Sequence, residues 1–263
     1  MKIDWSPLQT ELSCWRSEKR ALPLWWRDDD AIEPTPALTR LLKIGEDLGL
    51  PVHVAVIPKA AKPALAQLAR DTQIMIPLVH GWAHQNNAPV GAKKAEFGQP
   101  RSQARSETEA ALTRMKHLFG ADVLAMFVPP WNRIDTGVLE GLSAQGYVGV
   151  STFTPRKSRQ VAGVVQINTH IDPINWHGGQ GLHAPEHIIE QIVTLLQDRR
   201  AGRTDAAEPL GFLSHHLVHN EDIWDFTKNC LSMLLEGGAT PINLSTRKSE
   251  LPQPKIKNLY FPI

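Results

Sequence analysis

Four polar clusters in this 263-residue chain carry residue types that could do chemistry together: Trp26-Arg27-Asp28-Asp29-Asp30, His80-Gly81-Trp82-Ala83-His84, Phe127-Val128-Pro129-Pro130-Trp131 and Ser214-His215-His216. Each stands at the end of an apolar run. Carboxylates and imidazoles are hard and borderline ligands suited to a divalent metal such as zinc. Three adjacent carboxylates repel one another and are costly to cluster unless a cation offsets them. His80 and His84, four apart, could share one metal, though Gly81 disfavours a regular helix and suggests a strand-to-loop turn. No Glu follows His80, so the zinc-protease helix pattern is absent.

Asp30, His80 and His84 would make a two-histidine, one-carboxylate site with a water in the open position. Zinc lowers the pKa of such a water from about 16 to about 7. Asp29 could take its proton as general base, and a histidine on the opposite side would protonate the leaving group.

The elements that must position these groups alternate. Strand-like runs at 22–27, 52–57, 73–79, 123–128, 147–152, 164–168 and 210–214 are separated by helical stretches near 35–48, 59–70, 102–119, 136–145, 186–200 and 221–235. Residues 242–244 could close the sheet, and 156–159 and 199–208 read as surface loops. Such alternation predicts βαβ crossovers and a mostly parallel sheet. The polar clusters fall at the carboxyl ends of the strands, the rim where parallel α/β folds build their active sites. Without an internal repeat or linker, 1–263 reads as a single domain.

Composition excludes some partners. A formal net charge of +1 gives no reason to expect nucleic acid or an anionic membrane. The start of the chain lacks an apolar signal region and no stretch approaches a membrane span, so a cytoplasmic location is the default expectation. Cys14 and Cys230 have no metal-type spacing and read as reduced thiols. Eight Trp stand against two Tyr, and Trp26, Trp82, Trp131 and Trp176 lie in or beside the clusters. They are either core residues or a platform for an apolar sugar or acyl face.

The motifs taken together resemble the polysaccharide deacetylases of the NodB-homology type, carbohydrate esterase family four. The residues that carry the resemblance are Asp29-Asp30, His80 to His84, Pro129-Pro130-Trp131 and Leu213-Ser214-His215, in family order over most of the chain. It implies a distorted (β/α) barrel with about seven parallel strands, one divalent metal, usually zinc, and hydrolysis of N- or O-acetyl groups on sugars. By resemblance, Asp29 is the general base and Asp30, His80 and His84 hold the metal. The Trp131 N–H helps hold the oxyanion, His215 is the general acid, and Trp82, Pro130 and Trp176 contact substrate. A register shifted by one would make Asp28 the base and Asp29 the ligand, and His216 rivals His215.

Two departures stand out. Val128 replaces the family's arginine before Pro-Pro, for which Arg27 is a candidate substitute, and the later Asp-Trp pair is echoed only by Asp172 to Trp176, with His170 and His177 flanking it. The expected substrate is an acetylated saccharide or related small amide. The alternatives are a catalytically silent carbohydrate-binding protein of this fold and a metal-independent amidase on cyclic ureides.

Overall fold

In the computed structural model, which describes residues 3–246, the chain runs α1 (Ser6–Ser17), β1 (Pro23–Ala31), α2 (Pro36–Leu48), β2 (Val52–Val56), α3 (Pro63–Asp71), β3 (Met75–His80), α4 (Ala104–Phe119), β4 (Met126–Val128), α5 (Thr136–Leu142), β5 (Gly149–Val150), β6 (Gln160–Val161), β7 (Val164–Gln166), α6 (Pro185–Arg200), β8 (Leu210–Ser214), α7 (Glu221–Glu236) and β9 (Thr240–Pro241). The helix ends show why these segments form. Thr35 Oγ1 accepts the Leu38 N–H at 3.0 Å and Gly49 takes φ 61° at the other end of α2, an N-cap and a left-handed C-cap. Asn220 caps α7 in the same way through the Ile223 N–H.

The strands hydrogen-bond in the order β6-β7-β5-β4-β3-β2-β1-β8, with β9 beside the start of β1. Every pairing is parallel except β6 with β7. Strands β1 to β5, β7 and β8 form a curled, distorted half-barrel. Its edges are bridged by irregular chain: His170 and Ile171 N–H donate to Gly211 O at 2.8 and 3.1 Å, and Leu213 N–H to Ile171 O at 2.7 Å.

Alternation along the strands divides the core in two. Leu24, Trp26, Val52, Val54, Val56, Val79, Phe127 and Phe212 pack with residues of the helices. Trp25, Ala55, Ile76, Leu78, Met126, Val128, Val165 and Ile167 form a second cluster with no helical residue in it, which is the inside of the curl. Both Trp25 and Trp26 are core, so neither serves as a sugar platform.

Several expectations change. Helix α1 and strand β6 were not anticipated; β6 is only two residues long. Residues 242–244 do not close the sheet; β9 at Thr240–Pro241 takes that place beside Pro23 and Leu24. Nor are 156–159 and 199–208 simply surface. Arg156, Arg199 and Glu208 are buried, and the Glu208 carboxylate accepts the Arg156 and Asn168 N–H groups at 2.9 and 3.0 Å and faces His170 Nε2 at 3.2 Å. The physical reason is the irregular seam beside β8, whose backbone donors find a carboxylate where no regular ladder supplies carbonyls.

His53 shows how the inner core holds the chain's last described segment. Its Nδ1 donates to Trp26 O at 3.1 Å and its Nε2 accepts the Leu244 N–H at 3.1 Å, which requires the neutral ring. Burial pushes its pKa down to about 4. The unfolded chain therefore binds a proton here that the folded one refuses. This stability is present above the unfolded value of about 6.5 and is lost as pH falls toward 4, on the order of 3 kcal/mol. Urea unfolding measured from pH 7 to 4 should show a shallower pH dependence in His53→Gln than in wild type.

Candidate active site

β1 carries the carboxylates through the end of the sheet. Arg27 and Asp29 continue the inner face begun by Trp25, while Asp28 continues the outer face of Trp26. On the outer side Asp28 is sealed. It accepts Ser214 Oγ at 2.6 Å and the His216 N–H at 3.0 Å, and its other oxygen meets His216 Nδ1 at 2.5 Å. Trp26 Nε1 donates to the same Ser214 hydroxyl at 2.8 Å. Burial opposes both charges of this pair, but each partner overcomes it: Asp28 is held below the usual carboxylate range and His216 above the usual imidazole range. Both side chains are buried.

On the inner side the Arg27 guanidinium grips Asp29 with two bonds, Nε to Oδ1 at 2.9 Å and Nη2 to Oδ2 at 3.0 Å. It also donates to Ser151 Oγ at 2.7 Å and to Asn132 Oδ1 at 2.8 Å. Bidentate pairing orients a carboxylate as well as neutralising it. Val128, on the neighbouring face of β4, belongs to the apolar inner core. A guanidinium thus reaches Asp29 from its own strand.

Strict alternation would turn Asp30 outward with Asp28. Instead the β1–β2 register shifts between Asp28 and Ala31, and Asp30 adopts φ 78°. This bulge returns Asp30 to the inner side, where Oδ1 lies 3.0 Å from His80 Nε2 and 3.1 Å from His84 Nε2. His80 ends β3 and Gly81 turns the chain at φ 56°, so the two histidines sit on a strand-to-loop turn. The ligand atoms of Asp30, His80 and His84 all lie within 4.8 Å of one another.

The donor set fits a metal. His80 Nδ1 is 3.0 Å from Val128 O and must donate to it, which leaves the Nε2 lone pair aimed at the Asp30 carboxylate. Two electron-rich atoms at that separation need a positive charge between them, a second proton on His80 or a cation. Burial works against that proton, but the Asp29 charge and the Asp30 hydrogen bond raise the His80 pKa above its ordinary value. Burial and the neighbouring His80 charge lower that of His84.

Pro129 to Asn132 form the adjoining turn, with Trp131 at φ 56° and Asn132 at φ 57°. Trp131 packs on His84 at 4.3 Å between ring centroids. Asp30, His84, Trp131 and Asn132 are thus four non-glycine residues in the left-handed region at one spot. Such strain costs about 1–3 kcal/mol each and persists where the surroundings over-determine it, often at functional sites.

His215 approaches from β8, with Nε2 4.0 Å from Asp29 Oδ2 and its ring edge-on to Trp176 at 4.7 Å. Trp176 is held by its Nε1 bond to Asp172 Oδ2 at 2.9 Å, and burial raises the Asp172 pKa despite the His215 charge nearby. Among the three residues expected to contact substrate, Trp176 is 41% exposed, Trp82 is half-buried against the helix-side core, and Pro130 is buried beside Gly81. His170 lies in the Glu208 seam and His177 on the surface.

The structure therefore gathers Asp29, Asp30, His80, His84, Trp131, His215 and Trp176 in one place. The sequence reading missed Asn132, Ser151 and Glu96, polar residues in loops with no spacing signal to mark them.

No family model and no curated protein matches the sequence. Solved structures match its fold. A putative polysaccharide deacetylase from Mycobacterium smegmatis aligns at TM-score 0.57 and 15% identity, over 86% of this chain and 81% of that one. A family 4 carbohydrate esterase from Streptomyces lividans, in complex with acetate, aligns at TM-score 0.53 and 13% identity, over 86% and 94%. A CE4 family pseudoenzyme from Bacillus anthracis aligns at TM-score 0.55 and 13% identity, over 86% and 65%. The chain has the fold of the CE4 polysaccharide deacetylases. That fold carries both enzymes and a pseudoenzyme, so activity has to be argued from the residues.

Proposed function

We propose that this chain is a metal-dependent deacetylase, removing an acetyl or related acyl group from an N- or O-acetylated sugar or a related small amide. The observation that carries the reading is one cleft holding the Asp30, His80 and His84 ligand atoms, with the Asp29 carboxylate and the His215 imidazole 4.0 Å apart beside them. A pure binding site needs neither a paired base and acid nor a strained bulge that turns a third carboxylate inward.

Asp30, His80 and His84 would hold the ion, and zinc suits their mixture of nitrogen and oxygen donors. When bound, a divalent metal supplies Lewis-acid polarisation of the acyl oxygen and makes water a better nucleophile at neutral pH. Asp29, oriented by Arg27, accepts a proton from the attacking water as its oxygen bonds to the acyl carbon. The Trp131 N–H donates to the oxyanion that develops on the former carbonyl. His215 Nε2 then delivers a proton to the leaving nitrogen or oxygen as its bond to the acyl carbon breaks, giving acetate and the free amine or alcohol. Trp176, the most open of Trp82, Pro130 and Trp176, is assigned to the apolar face of the substrate.

Metal content by mass spectrometry tests the reading, wild type beside the double variant His80→Ala/His84→Ala. About one equivalent of zinc or a similar ion in wild type, absent from the variant, is expected. No metal in wild type purified without chelators, and none taken up on adding zinc, would overturn the mechanism.

A further inference from the structure

His84 is the one member of the ligand set carried by a loop rather than a strand, so something other than a strand must hold it. We propose that Glu96 is a positioning residue that fixes His84 as a metal ligand; the proposal rests on the metal-centre reading above. The Glu96 side chain is buried, 1% exposed, twelve residues beyond His84. Its two oxygens accept three successive amides: Trp82 N–H at 3.1 Å and His84 N–H at 3.2 Å on Oε2, and Ala83 N–H at 2.8 Å on Oε1. Among the described residues it makes no ion pair with a Lys, Arg or His, so these amides are what compensates its charge.

The arrangement dictates the shape of the loop. Three consecutive N–H groups can converge on one carboxylate only if the chain curls around it, and Gly81 at φ 56° and His84 at φ 54° supply that curl. A side chain at Gly81 would collide with Glu96 Oε2 and the Pro130 ring, which explains the glycine directly after a ligand. Glu96 is itself anchored. Its carbonyl accepts Asn87 Nδ2 at 3.2 Å, and Asn87 N–H donates to Ala95 O at 2.8 Å, closing the 87–95 excursion at its base. Asp30 and His80 owe their placement to strands β1 and β3, whereas the Glu96 carboxylate bonds the backbone of residues 82, 83 and 84. The carboxylate therefore acts on one ligand of the three.

Both oxygens serve as acceptors, so glutamine is not an equivalent: its amide would turn a donor toward the backbone donors. Glu96→Gln should leave the sheet intact and release the 81–84 turn.

The test is the zinc dissociation constant of the full chain, measured by competition with a chromophoric chelator, for wild type, Glu96→Gln, His84→Ala and the double variant. We expect Glu96→Gln to weaken zinc binding roughly 10- to 100-fold in the wild-type background, and by less than about twofold once His84 is alanine. A general structural role would weaken binding equally in both backgrounds, and that result, or an unchanged constant in Glu96→Gln, overturns the proposal while leaving the metal centre standing. Failure of wild type to take up zinc overturns both. Hydrogen exchange on zinc-free protein gives a second readout: the peptide covering 81–85 should exchange faster in Glu96→Gln with the strands unchanged, and equal exchange contradicts the proposal. Should Glu96→Gln not fold, Glu96→Asp, which keeps the charge but shortens the reach, is measured in the same way and should show the same dependence on His84.

Discussion

Asp30→Ala is expected to empty the metal centre and reduce acetate release to the buffer blank. The carboxylate is the group on which both His80 Nε2 and His84 Nε2 converge, at 3.0 and 3.1 Å, so its loss leaves two imidazoles with no anion between them. Metal ions in such sites need both the charge and the third donor. Asp30 is not a pillar of the core, being 29% exposed at its side chain, so the variant should fold. Asp30→Asn is the sharper companion, because asparagine tolerates the φ of 78° as aspartate does and removes only the charge. Zinc content and acetate release measured on the same preparations should fall together. Full zinc occupancy in either variant would contradict the ligand assignment.

Asp29→Asn should behave differently, retaining zinc while turnover falls roughly 10²–10⁴-fold, the usual contribution of a general base. Asp29 does not share the oxygen that meets the histidines; it is held by Arg27 and faces His215. Its neighbour makes the contrast. Asp28 is fully buried against His216 and Ser214, and breaking such a buried pair costs about 3–5 kcal/mol. Asp28→Asn should therefore lower the urea midpoint, with kcat of the folded protein close to wild type. The reverse pattern, activity kept in Asp29→Asn and lost in folded Asp28→Asn, would move the base assignment one residue along the strand.

The three aspartates also show what a sequence can and cannot disclose. That a run of carboxylates at a strand end had a use was legible from charge repulsion alone. Which of them faces inward was not, because alternation pairs Asp28 with Asp30, and only the register shift after Asp28 separates them. A bulge has no composition to announce it. His215 and His216 repeat the lesson: neighbours of one type, of which the structure seals one behind Asp28 and sets the other beside Asp29.

Strands β1, β2, β3 and β8 and helices α2, α4, α6 and α7 were legible because their apolar periods are long, and α2 and α7 also carry side-chain N-caps at Thr35 and Asn220. The seam was not. There the ladder is irregular, and Glu208 and Arg199, residues that read as surface, become buried partners of the backbone. Glu96 was invisible for the same reason, since a carboxylate that binds amides needs no sequence partner. Arg27 as a grip on Asp29 could be guessed only from the lack of an arginine at Val128.

The central claim is that Asp29, His215 and a metal held by Asp30, His80 and His84 transfer an acetyl group to water. Acetate release from a panel of N-acetylated sugars and chito-oligosaccharides, by wild-type protein stripped of metal and then titrated with zinc, tests it most directly. The account predicts no release from the stripped protein and activity that rises to a plateau near one equivalent of zinc. Release that is the same with and without metal, or a zinc-loaded protein that binds these sugars and never frees acetate, would contradict it.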